Sequence, residues 1–90
     1  MEDIVTQRAW PQILMYSGPH CSDCRRSKAL LKRLGAPYIE VNIDQDSSAA
    51  AEVLRLNGGR RALPTFVIGG RMVLAGPTDR ELAKALGVAL

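Results

Sequence analysis

Cys21 and Cys24 are the only thiols of the chain, and they stand three positions apart within Ser17-Gly18-Pro19-His20-Cys21-Ser22-Asp23-Cys24. A pair at that spacing can attack a disulfide, close one of its own, or help to hold a metal. The choice depends on the elements that carry the pair. The apolar run Ile13-Leu14-Met15-Tyr16 precedes it, and Arg25-Arg26-Ser27-Lys28-Ala29-Leu30-Leu31-Lys32-Arg33-Leu34 follows as an amphipathic helix ending at Gly35. Strand, tight turn and helix therefore place Cys21 at the helix cap and Cys24 one turn later, on the same side. A disulfide between them needs little backbone movement.

That position sets the chemistry. A thiolate at a helix start faces unpaired backbone N–H groups and the positive end of the helix dipole, which lowers its pKa from a reference of about 8.5. Cys21 is the natural nucleophile. Cys24, inside the first turn, is expected to be more buried and more protonated, placed to attack a mixed disulfide formed on Cys21. A protonated His20 would favour the Cys21 thiolate, whereas the carboxylate of Asp23 would oppose it.

Ninety residues suit one domain, 1–90, with residues 1–11 as an N-terminal extension of weak signal. With 47% hydrophobic and 23% charged residues the composition is that of a globular protein rather than a disordered chain. Two neighbouring cysteines cannot staple distant segments, which argues against a secreted disulfide framework. No apolar leader and no membrane-length stretch is visible, so the cytoplasm is the expected compartment and no membrane partner is expected. The net charge of +3 is concentrated on the first helix and at Arg60-Arg61. That helix has no nucleic-acid recognition motif, and a basic field attracting acidic ligands or partners fits better than nucleic-acid binding.

The strand Ile13 to Tyr16 reads as central and buried on both faces. The first helix is expected to bury Ser27, Leu30, Leu31 and Leu34. Tyr38 to Ile43 alternates as a second strand, parallel to the first. A helix through Ala49 to Leu56 follows, with Ala50, Val53 and Leu54 as its buried stripe, stopping at Asn57-Gly58-Gly59. Thr65 to Ile68 and Arg71 to Leu74 form a hairpin around a two-residue Gly69-Gly70 loop. Thr78 is the expected N-cap of a last helix over Arg80 to Leu86, with Leu82, Ala85 and Leu86 inward. The order β-α-β-α-β-β-α predicts an α/β protein with a four-stranded mixed sheet flanked by helices.

A Cys-x-x-Cys after the first strand of such a pattern is a thioredoxin-like redox signature. With Leu63-Pro64-Thr65 added, the chain from Gln12 onward resembles the glutaredoxins of the thioredoxin-like superfamily. Its segment Leu56-Asn57-Gly58-Gly59-Arg60-Arg61-Ala62-Leu63-Pro64-Thr65 is closest in pattern to the mycoredoxin branch. The resemblance implies that Pro64 is a cis-proline, that the backbone of Leu63 pairs with a substrate disulfide, and that Arg61 holds a carboxylate. It also places Thr78 and Asp79 where the family holds the γ-glutamyl end of glutathione. Ser22-Asp23 stands where the family commonly has Pro-Tyr or Gly-Tyr, which replaces an aromatic wall by a negative charge. Ala62 stands in place of the usual Thr, and Gly76-Pro77-Thr78-Asp79 departs from Gly-Gly-x-Asp-Asp.

The resemblance implies a monomeric thiol–disulfide oxidoreductase with no bound cofactor, using glutathione, mycothiol or bacillithiol as co-substrate. Cys21 would attack a mixed disulfide between a protein and that thiol, and either a second thiol molecule or Cys24 would resolve it. A dithiol donor to ribonucleotide reductase, recharged by a flavoprotein reductase, is an alternative, although Leu74-Ala75-Gly76-Pro77 does not resemble the Trp-Ser-Gly-Phe-like segment expected there. An iron–sulfur cluster carrier bridging two protomers through Cys21 is another. Zinc would need four ligands, whereas His20, Cys21 and Cys24 supply three that are too close in sequence to close a tetrahedron.

Overall fold

Strand β1, Ile13–Ser17, lies inside the sheet and presents alternate residues to two separate apolar clusters. Ile13 and Met15 join Leu30, Leu31, Phe66, Leu82 and Leu86 on one face. Tyr16, with Leu14 packed alongside, joins Ile43, Ala49 and Val53 on the other. A continuous apolar run is what a strand covered on both faces requires. The computed structural model describes residues 9–90; of the N-terminal extension expected over residues 1–11, residues 1–8 lie outside the described residues.

Helix α1, Ser22–Leu34, follows β1 and leads to β2, Ile39–Asn42, which pairs parallel to β1. A short 3-10 turn at Ile43–Gln45 precedes α2, Ser47–Leu56. Strands β3, Thr65–Ile68, and β4, Met72–Ala75, form the hairpin, and α3, Asp79–Ala85, closes the order. The sheet runs β2-β1-β3-β4, with β3 antiparallel to β1 and β4 antiparallel to β3. Residues of α1 and α3 fill one cluster and those of α2 the other, so helices cover both faces. This is the α/β architecture that the element order predicts.

Local differences have physical causes. As α2 docks on the sheet, Ala49, Val53 and Leu56 fall at helical spacing on the sheet side, and Leu54 is 42% exposed instead of buried. Ala50 and Leu34 are half-buried rather than fully inside, and on α3 Ala83 is buried more completely than Ala85. Strand β2 is shorter than Tyr38 to Ile43 and sits at an edge, which leaves Ile39 54% exposed while Ile43 turns inward. The hairpin loop has three residues, Gly69, Gly70 and Arg71, because Ile68 pairs with Met72. Both glycines have positive φ, 63° and 77°, which suits residues without a Cβ.

Candidate active site

The cysteine turn is built by the start of α1. Cys21 is the N-cap in an extended conformation, and its Sγ accepts a hydrogen bond of 3.1 Å from the backbone N–H of Cys24. The cysteines' Cα atoms are 5.2 Å apart and their sulfurs are joined in a disulfide. Cys24 is 2% exposed within the α1–α3 core, whereas Cys21 is half-buried at its edge. His20, exposed and at a φ of 58°, makes the reversal from β1 into the helix in the left-handed region that histidine tolerates better than most residues. At the far end Gly35, at a φ of 69°, caps α1, with Lys32 and Arg33 near the negative end of its dipole.

The proline loop approaches the segment that leads from β1 into the turn. The Leu63–Pro64 bond is cis and Pro64 is fully buried. Behind it, the Thr65 hydroxyl donates to the Ala62 carbonyl at 2.6 Å. Asn57 Nδ2 donates to Thr65 Oγ1 at 3.1 Å and to the Val53 carbonyl at 3.0 Å. The Gly76 N–H reaches the Pro64 carbonyl at 2.8 Å, so α2, β3 and the segment after β4 all hold this loop. The loop comes close at Gly18. A Cβ there would lie 2.9 Å from Leu63 Cδ1 and 3.9 Å from Arg61 Nη2.

Charged groups ring the turn. Arg61 pairs with Asp44 at 3.5 Å. Thr78 caps α3 by accepting from the Glu81 N–H, while Glu81 Oε1 accepts from the Thr78 N–H, so the hydroxyl expected to meet substrate is engaged in a capping box. Asp79 accepts from Arg26 Nη1 at 2.7 Å, and Arg26 also lies 3.5 Å from Asp23. At the end of β1 the buried Ser17 hydroxyl donates to Glu40 Oε2 at 2.6 Å, and Lys28 Nζ donates to the same oxygen at 3.0 Å. The bond from Ser17, followed by that from Lys28, holds the Glu40 carboxyl below its ordinary value of 4.5.

Of the residues singled out by sequence, His20, Cys21, Asp23 and Cys24 share the turn, and Arg61, Leu63 and Pro64 form the loop beside it. Thr78 and Asp79 start α3, and Asp79 connects to the cysteine helix through Arg26. Gly18, Asn57, Thr65 and Arg26 lie in stretches singled out by sequence, where none of them is assigned to the site. The signal for Gly18 was its place between a buried strand end and the turn; the others act through contacts distant in sequence. Among the described residues, no group of three or more His, Cys, Asp or Glu side chains is arranged to hold a metal ion. No helix there is long and apolar enough to cross a membrane.

A sulfur at a helix start, with a second sulfur buried one turn away, is an arrangement for thiol–disulfide exchange. Comparison with known proteins agrees. The glutaredoxin family model matches residues 13–73. A Neisseria meningitidis glutaredoxin is 38% identical over 58 residues, covering 63% of this chain and 67% of the relative. A Mycobacterium tuberculosis protein described as a glutaredoxin is 32% identical over 74 residues, covering 82% and 88%. The crystal structure of Methanosarcina acetivorans methanoredoxin superposes with a TM-score of 0.76 at 26% identity, covering 91% of this chain and 98% of that one. The thioredoxin-like fold and the sequence match converge: this chain belongs to the glutaredoxin family and is a thiol–disulfide oxidoreductase with a Cys21–Cys24 pair.

Proposed function

We propose that the protein reduces mixed disulfides between proteins and a low-molecular-weight thiol, with Cys21 as the attacking sulfur. The observation that carries this reading is the unequal placement of the pair, Cys21 half-buried at the helix cap with a backbone N–H on its sulfur and Cys24 buried behind it. The Cys21 thiolate forms a bond to the small thiol's sulfur and the protein substrate leaves as a thiolate. A second small thiol then attacks that sulfur, releasing the oxidised small thiol and restoring Cys21; attack by Cys24 gives the intramolecular disulfide instead.

Substrate contacts fall on the loop side. The backbone of Leu63, ahead of Pro64 and beside Gly18, is offered to an extended segment around the disulfide. Arg61, 60% exposed and held by a long pair to Asp44, is available to a carboxylate. His20 directly precedes the attacking cysteine, and Asp23 follows it by two residues with its carboxylate 3.5 Å from Arg26. Thr78 and Asp79 shape the far wall, where both side chains already have internal partners, so the charged end of the thiol is assigned to Arg61. Glutathione, mycothiol and bacillithiol remain the candidate co-substrates, in a cytoplasmic setting.

The test offers the oxidised protein each of the three thiols separately and follows turnover of a protein mixed disulfide. One thiol supporting sustained turnover that depends on Cys21 is the expected result. Absence of turnover with all three, in a protein that still reduces a protein disulfide through both cysteines, overturns the reading.

A further inference from the structure

Arg26 is one turn into α1 beyond the cysteines, yet its guanidinium is bound at the opposite end of the chain. Nη1 donates to Asp79 Oδ1 at 2.7 Å, and Nη2 donates to the Pro77 carbonyl at 3.3 Å and to Asp23 Oδ1 at 3.5 Å. The planar fork of an arginine points its donors in fixed directions at these three acceptors, whereas the three donors of a lysine ammonium rotate on a flexible stem. An exposed pair such as Arg26–Asp23 is worth little by itself, because ordering two side chains offsets the attraction. Here the arginine is ordered by Asp79 and Pro77, so holding Asp23 costs only the ordering of the aspartate.

The connection reaches both parts of the site. Pro77 is buried and directly follows Gly76, whose N–H holds the Pro64 carbonyl. Arg26 thus ties the cysteine helix to the segment that supports the proline loop. It also holds the one carboxylate that lies between the two cysteines in sequence. We propose that Arg26 is a positioning residue for the exchange reaction: it docks the cysteine helix on the segment behind Pro64 and turns the Asp23 carboxylate away from the Cys21 sulfur. The other charged groups around the turn are His20 before it, Arg25 on α1, Arg61 and Asp44 on the loop side, and Asp79 and Glu81 on α3. None of these others contacts Asp23 among the described residues.

The proposal rests on Cys21 being the attacking thiol, but its test needs no substrate. The pH dependence of Cys21 alkylation by iodoacetamide, located by peptide mass mapping, is measured for the reduced full-length protein carrying Arg26→Gln, Arg26→Lys, Asp23→Asn, and each Arg26 change combined with Asp23→Asn. Freed from Arg26, Asp23 faces the sulfur, so R26Q is expected to raise the midpoint by roughly half a pH unit, about threefold slower alkylation below the midpoint. R26K is expected to raise it by less. In the Asp23→Asn background both shifts should fall to half or less. Equal R26Q shifts in the two backgrounds would mean that Arg26 acts by its own charge alone, and an unmoved pH profile would mean a purely structural role; either overturns the proposal. If R26Q does not fold, R26K carries the test, since wild-type behaviour of R26K contradicts a need for the fork. Loss of mixed-disulfide turnover in the wild-type protein would instead count against the proposed function and leave this result standing.

Discussion

The cysteine turn and the proline loop, which approaches Gly18 just ahead of that turn, are held by different forces. The turn depends on the start of α1: a backbone N–H on the Cys21 sulfur, and partly exposed ion pairs from Arg26 to Asp79 and Asp23. The loop depends on neutral hydrogen bonds around the fully buried Thr65, reaching Ala62 and Asn57. Salt and pH act on exposed charges and barely on buried neutral bonds. The side that carries the reactive sulfurs is thus tunable by salt and pH, and the side proposed to receive the substrate backbone is not.

Substitutions on each side should separate these roles. Cys21→Ser is expected to abolish exchange by orders of magnitude while leaving the thermal midpoint of the reduced protein close to that of the wild type, because the side chain is half-buried and near-isosteric. Enzymatic turnover and calorimetry read the two halves. Thr65→Val should do the reverse. Leaving the Ala62 carbonyl and the Asn57 amide short of a partner costs about 1–3 kcal/mol, with a raised KM and an unaltered pH profile for Cys21 alkylation. Denaturant unfolding measures that loss, and a value near zero would mean that the loop does not depend on this network.

Cys24→Ser is expected to keep mixed-disulfide turnover within about a factor of ten, since a second small thiol can resolve the Cys21 adduct. Its complete loss in a folded variant favours the dithiol donor. A smaller effect is expected from Ser17→Ala. Glu40 is held below its ordinary value chiefly by Ser17, so its contribution to stability is present above pH 4.5 and disappears as pH falls through the lower folded value. Removing the hydroxyl should cost about 1 kcal/mol at neutral pH and flatten the loss of stability on acidification. Urea midpoints from pH 3 to pH 7 read both. The smallest change is expected for Gly18→Ala. The new methyl meets the flexible end of Leu63, which can turn aside, so KM should rise modestly with stability nearly unchanged.

The cysteine turn could be read from the chain because its information is local: an apolar run, a three-residue spacing and a helix closed by Gly35 occupy one continuous stretch. The same holds for the Thr78 cap, whose Glu81 partner is three residues away. Arg26 meets Asp79 across 53 positions, and Asn57 reaches Thr65 only because the loop between them folds back. Composition and periodicity carry no record of such pairs. Leu54 shows the same limit on a smaller scale. Its periodicity permits two neighbouring faces of α2, and only the docking angle on the sheet selects Ala49 and Val53 over it.

The central claim is the division of labour between the two sulfurs. It is tested most directly by treating the reduced protein at neutral pH with less than one equivalent of iodoacetamide and mapping the label by mass spectrometry. Label confined to Cys21, with Cys24 reacting only after unfolding, is the predicted result. Equal labelling of the two cysteines, or preferential labelling of Cys24, would contradict the account.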